Sequence, residues 1–160
     1  MLEIKPMCRF SLRKVAPAAK EFYESSQFLR KFDLDRFVNL WRNLIETDQG
    51  VIFGAFEDGD FIGAIAGTLY PEPYCGDLIA QEFFWFVRPG HRGFAGMRLY
   101  KAFEYWCRER GCAEIRMGHL ADLMPEKVAH TYKRLGYTQI ETNYAKRLEG
   151  VQSSSAQQPL

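Results

Sequence analysis

The stretch Phe86-Val87-Arg88-Pro89-Gly90-His91-Arg92-Gly93-Phe94-Ala95-Gly96-Met97-Arg98-Leu99 is where the 160-residue chain concentrates its chemistry. An apolar, aromatic run ends at Val87, Pro89-Gly90 breaks it, and a helical pattern takes over by Gly96. A helix start leaves several backbone N–H groups unpaired and carries partial positive charge, so an anion is stabilised there. Gly93 and Gly96 let backbone approach such an anion closely, and Arg92 adds a fork of donors suited to phosphate oxygens. The same residues also read as a tight turn with a solvated arginine. The pattern is not a Walker loop, because Gly-Lys-Ser/Thr is missing, nor a dinucleotide fingerprint, because Gly-x-Gly-x-x-Gly is missing.

The elements that must position this loop follow from hydrophobic spacing. An edge strand is expected near Cys8–Leu12 and a helix over Ala16–Lys31. Asp33 or Asp35 caps a second helix, on which Phe37, Leu40, Trp41 and Leu44 share an apolar face. Val51–Phe56 and Phe61–Tyr70 read as strands joined by Glu57-Asp58-Gly59-Asp60, whose Asp-Gly pair favours a hairpin. After a loop over Pro71–Asp77, Leu78–Val87 reads as a central strand buried on both faces, with Glu82 inside it. A helix runs from Gly96 to Arg110, a strand over Cys112–Leu120, and a helix from Pro125 to Leu135 that stops at Gly136. Tyr137–Leu148 alternates enough for one or two closing strands. The expected class is α/β with a mixed sheet of about six to seven strands flanked by helices, in the order β-α-α-β-β-β-α-β-α-β-(β).

The loop resembles the acetyl-CoA loop of the GNAT acyltransferase superfamily, usually Val-x-Pro-x-x-Arg-Gly-x-Gly-x-Gly before a Leu-rich helix. Val87, Pro89, Arg92 and Gly93 match in register, with Ala95 and Met97 at the positions of later glycines. In an alternative register Gly96 is the last glycine and His91 takes the arginine position. Tyr132-Lys133-Arg134-Leu135-Gly136-Tyr137 is similar to the family's Tyr-x-x-x-Gly-Phe motif, although Pro125 and Val128 replace the asparagine and alanine common before it. The resemblance covers roughly residues 4 to 148 and implies transfer of an acetyl group from acetyl-CoA to a primary amine. Residues 92 to 97 (Arg92, Gly93, Phe94, Ala95, Gly96, Met97) would hold the pyrophosphate, and Phe86 and Val87 would line pantetheine. Backbone N–H groups near Val87 would bind the thioester carbonyl. An alkyl ammonium must lose its proton before attack. Glu82 is the implied base, and the rings of Phe83, Phe84, Trp85 and Phe86 beside it should raise its pKa. A solvent-facing or arginine-paired glutamate is the alternative, and His119 is a second candidate base. Tyr132 would protonate the departing thiolate. The alternative function is a catalytically weak or inactive member that binds CoA or protein, or serves as a phage structural component.

Composition is that of an ordinary globular protein. One domain is expected over residues 1–149, with a disordered polar tail over 150–160. A net charge of +1 argues against nucleic acid or an anionic membrane as partner. Four cysteines occur without a Cys-x-x-Cys pair, so no metal site is expected. They read as reduced thiols of a cytoplasmic protein. No apolar run nears the roughly 20 residues that span a bilayer. The 15% aromatic content suggests a ring-rich core, or a cleft lined with rings. The acceptor, a small-molecule or protein amine, and homodimer formation are left open.

Overall fold

A computed structural model describes residues 1–25, 31–120 and 124–148. The chain divides into two compact units, Met1–Pro125 and Glu126–Leu160. In the first, β1 (Leu2–Pro6), α1 (Leu12–Glu24) and α2 (Leu34–Glu46) precede the strands β2 (Gly50–Glu57), β3 (Asp60–Pro71) and β4 (Leu78–Val87). Then come α3 (Phe94–Glu109) and β5 (Glu114–Arg116). The five strands form one sheet in the order β1-β2-β3-β4-β5. All neighbours are antiparallel except β4 and β5, which are parallel because α3 carries the chain back between them.

Each sheet face has its own core. Leu12, Val15 and Ala16 of α1 and Val38 and Trp41 of α2 pack with Ile52, Ala64, Ala66 and Phe84. Ala95, Leu99, Phe103 and Cys107 of α3 pack on Val51, Ala55, Ile62, Ile65, Ala80 and Val87. Buried on both faces, β2 to β4 explain the near-continuous apolar runs in the sequence. The β2–β3 turn is the expected hairpin: Asp58 and Gly59 take φ of 51° and 92°, as a turn matched to strand twist requires. Asp33 is the cap of α2, its side chain accepting from the Arg36 N–H at 3.0 Å.

Several expectations change. The edge strand is Leu2–Pro6, not Cys8–Leu12. At Cys8 the chain turns, with Ser11 Oγ donating to the Cys8 carbonyl at 3.0 Å and accepting from the Cys8 N–H at 3.0 Å. Helix α1 therefore starts at Leu12, and Pro17 lies inside it, because Leu12, Val15, Ala16 and Ala19 share one buried face. Part of its expected run to Lys31 falls on residues 26–30, outside the described ones. Leu40 is exposed, and Val38 takes its place beside Trp41 on the buried face of α2. Among the described residues the sheet has five strands rather than six to seven. Tyr137–Leu148 holds no strand, since polar residues separate its apolar ones and Ile140, Tyr144 and Leu148 are exposed.

In the second unit α4 (Pro125–Arg134) ends at Gly136, with φ of 90°. The expected tail from Gly150 lies outside the described residues.

Candidate active site

Strand β4 is paired on both sides only in its first half. Beside β5 the register is Ile79↔Glu114, Ala80↔Ile115 and Gln81↔Arg116, and it stops there. Beside β3 the pairing continues to Gly63↔Val87. Side chains close the shared segment: Gln81 Nε2 donates to the Glu82 carbonyl at 3.0 Å and to the Arg116 carbonyl at 3.4 Å. The Gly118 N–H, next along from β5, donates to Glu82 Oε2 at 3.1 Å. A carboxylate thus stands where a ladder bond between strands would have formed, and the strands separate.

Glu82 is the buried charged residue of the described core. Burial pushes its carboxyl up from the ordinary 4.5 to about 7, against the pull of the Gly118 amide. Opposite it, Ala66↔Phe84 is followed by Gly67↔Glu82, so Phe83 is an extra residue on β4. Such a bulge re-aims neighbouring side chains. Phe83 is 60% exposed, although Phe84 beside it is buried.

Among the described residues the register of β4 with β5 does not continue past Gln81. The Arg88 N–H donates to the Ile62 carbonyl at 2.8 Å. By the alternation of an antiparallel ladder, Phe86 also turns its backbone groups to β3, while Trp85 and Val87 turn theirs away from β3. The Val87 carbonyl there accepts from Arg92 Nε at 3.3 Å. The sequence expectation named Phe86 and Val87 together; the ladder distinguishes them.

The loop after β4 is held at both flanks. His91 Nδ1 lies 2.7 Å from Glu57 Oε2 at the end of β2, so His91 faces the hairpin side while Arg92 faces the strand end. Gly93 is the N-cap of α3, has φ of 95°, and would find no atom within 4 Å of an added Cβ. It leaves clear space before the helix start. The first intrahelical bond runs from the Met97 N–H to the Gly93 carbonyl at 3.0 Å. The N–H groups of Phe94, Ala95 and Gly96 therefore precede any intrahelical acceptor, and no side chain caps them. Ala95 and Gly96 are buried, and Phe94 is exposed beneath the Arg98 guanidinium.

His119 is exposed one residue beyond Gly118. Within the second unit Tyr132 is buried, its ring 5.6 Å from that of Tyr137. The chain folds back there because the Tyr137 N–H donates to the Tyr132 carbonyl at 3.0 Å. Sequence reasoning missed Gly118, Gln81 and Glu57. All three act across strands, and no local sequence signal marks them.

Among the described residues no group of three or more His, Cys, Asp or Glu could hold a metal ion, and no helix is long and apolar enough to cross a membrane. No curated protein matches the sequence. Solved structures match its fold. A predicted acetyltransferase with acetyl-CoA from Clostridium acetobutylicum superposes with a TM-score of 0.76 at 14% identity, over 92% of this chain and 96% of that one. AAC(6')-Iy in complex with a CoA-S-monomethyl-acetylneamine bisubstrate analog gives 0.73 at 18%, over 93% and 99%. The ribosomal-protein-alanine N-acetyltransferase of Brucella melitensis gives 0.68 at 18%, over 92% and 99%. The profile described as the acetyltransferase (GNAT) family matches residues 14–137, and the chain belongs to that family.

Proposed function

We propose that this protein transfers an acetyl group from acetyl-CoA to a primary amine, with Glu82 as the general base. The observation that carries the reading is the placement of Glu82: a buried carboxyl with a pKa of about 7, where β4 and β5 part. A base poised near neutrality combines the ionised form with useful proton affinity.

The residues fit the cofactor. The clear space at Gly93, the amides of Phe94, Ala95 and Gly96 ahead of the first helical bond, and the Arg92 guanidinium suit a pyrophosphate. Met97 closes that first turn. The edge of β4 at Val87, whose backbone turns away from β3 beside Phe86, suits an extended chain with amide groups, which pantetheine is. Acetyl-CoA bound there would supply an acetyl group activated as a thioester. The Val87 N–H, turned away from β3, would donate to the thioester carbonyl and hold its polarity. Glu82 would take the proton that the acceptor ammonium must lose. Tyr132, which matches the tyrosine of the family's sequence motif, would supply a proton to the sulfur that leaves. The acetyl-CoA-bound Clostridium neighbour supports the cofactor, and the acetylneamine analog of AAC(6')-Iy and the alanine N-acetyltransferase of Brucella support an amine acceptor.

Thermal melting with acetyl-CoA tests the first step. Saturation at about 100 times the dissociation constant adds about 2.7 kcal/mol to the folded state. No shift removes the cofactor from this reading. A shift without acetyl transfer to any amine supports a CoA-binding protein without activity.

A further inference from the structure

We propose that Cys107 and Cys112 are a reversible disulfide site, closed by a hydroperoxide, that clamps the end of α3 to the chain entering β5. The helix terminus builds the pair. Arg110 is the C-cap of α3, and Gly111 follows it with φ of 73°, in the left-handed region. The Cys112 N–H donates to the Cys107 carbonyl at 3.1 Å, and the Gly111 N–H to the Arg108 carbonyl at 3.0 Å. Those two bonds are the Schellman pattern, which brings the side chains of its first and last residues together. An apolar contact commonly joins these positions, and here both are cysteines. A backbone bond of that length keeps the two Cα atoms near the ~4.4–6.8 Å that a disulfide spans. Cys107 is fully buried in the α3 core, Cys112 packs against the same core, and the two thiols interact side chain to side chain. The next residue is already tied to the sheet, since the Ala113 N–H donates to the Leu78 carbonyl at 2.9 Å.

The surroundings order the reaction. Burial raises both thiols, but at Cys112 the Cys107 thiol and the Arg110 guanidinium oppose it. Cys112 is also the partly exposed member. Its thiolate attacks one peroxide oxygen, the O–O bond breaks, and the departing hydroxide takes up a proton to become water. The Cys107 sulfur then attacks the sulfur of the Cys112 sulfenic acid. The S–O bond breaks, and the hydroxyl leaves with the Cys107 proton as a second water. Two thiols lose two electrons, and one peroxide becomes two waters. Among the described residues the other cysteines meet oxygen groups: Cys8 Sγ lies 3.6 Å from Ser11 Oγ, and Cys75 interacts with the carboxylates of Glu72 and Asp77. About 20 Å of helix separates Phe94 from Cys107, so the clamp sits at the opposite end of α3 from Gly93 and is independent of the acetyltransferase reading.

The test uses the full chain carrying Cys8→Ser and Cys75→Ser, so that the exposed thiols contribute nothing. After reduction and removal of reductant it is treated with hydrogen peroxide at about pH 8.5, near the ordinary thiol pKa. Trypsin cuts after Arg108 and Arg110, between the two cysteines, so a disulfide holds together two peptides that separate on reduction. The expected result is that linked pair, loss of both titratable thiols, and a Tm about 4–8 °C above the reduced protein, the scale for so short a closed loop in a chain of this size. A thiol reductant should reverse all three. Cys112→Ser in the same background should show neither the linked peptides nor the Tm rise. Peptides that stay apart, with Cys112 oxidised to sulfinic acid beside a Cys107 that is still a thiol, overturn the proposal. A linked pair with a lower Tm overturns it too, because the bond would then form only by distorting the helix end.

Discussion

The two halves of β4 are built from similar residues and do different things. Leu78–Gln81 is flanked by β3 on one side and β5 on the other. Glu82–Val87 keeps β3 and loses β5. In the first half every backbone group has a ladder to join, and side chains merely fill the core. In the second half no β5 pairing is present among the described residues, and the Glu82 carboxylate accepts from the Gly118 N–H at the point of separation. Strand pairing thus holds the first half on both sides, and the proposed function leaves the second half to the cofactor. The change takes place within one residue, between Gln81 and Glu82.

The hardest test of that division is Glu82→Gln. The amide keeps an acceptor for the Gly118 N–H but cannot take a proton. Turnover should fall about 10²- to 10³-fold, the usual contribution of a general base. The acetyl-CoA Kd, measured by calorimetry, should stay within about threefold. Equal losses in both would make Glu82 part of the strand architecture and end the contrast. In the parent protein log kcat should climb with unit slope below pH of about 7 and level above it, because the carboxyl must be ionised to act. A flat profile would assign the proton transfer elsewhere.

The same residue separates function from stability. A carboxyl whose folded pKa is raised above the unfolded value makes its full contribution to stability below pH of about 4.5 and loses it as pH rises through about 7. The rise from 4.5 to about 7 corresponds to about 3 kcal/mol, so Glu82→Gln should outlast the parent protein in urea at pH 8 by roughly that much relative to pH 4. Equal stability at both pH values would mean that the carboxyl is solvated in the folded protein. At the far end of the second half, Arg92→Ala should weaken acetyl-CoA about tenfold, the value of one charge-assisted bond, with kcat at saturation within about twofold. Unchanged affinity in Arg92→Ala and a loss in His91→Ala would move the anion site toward the hairpin, where His91 meets Glu57.

What could be read from sequence follows the range of the forces involved. The hairpin at Asp58-Gly59, the Asp33 cap and the stops at Gly111 and Gly136 are local, and each sits where its residue type implies. Glu82 and the Gly93 helix start were legible because apolar flanks and glycine spacing are local too. The β1 assignment was not. Cys8–Leu12 and Leu2–Pro6 both alternate acceptably, and the choice is made by pairing with β2, about 50 residues away, as in Ile4↔Ala55. Gly118 is invisible for the same reason, because its significance comes from a bond across 36 residues. The closing strands failed differently: alternation in Tyr137–Leu148 is real, but Ile140 and Tyr144 are too isolated to make a buried face.

The smallest effect belongs to Gln81, and it sharpens the contrast most. Its side-chain N–H group reaches the Arg116 and Glu82 carbonyls and marks the last paired position. If the strands part because Glu82 occupies the next position, Gln81 only seals the paired half. Gln81→Ala should then cost about 1 kcal/mol in urea unfolding, the net worth of a hydrogen bond. Neither the acetyl-CoA Kd nor kcat should move more than about twofold. If Gln81 instead sets where separation starts, its loss shifts the opening and misplaces both the carboxylate and the edge beyond it. A tenfold rise in the acetyl-CoA Kd with little loss of stability would show that. The border between the two halves would then lie before Gln81, and the hydrogen bond from Gly118 would follow from the opening instead of causing it.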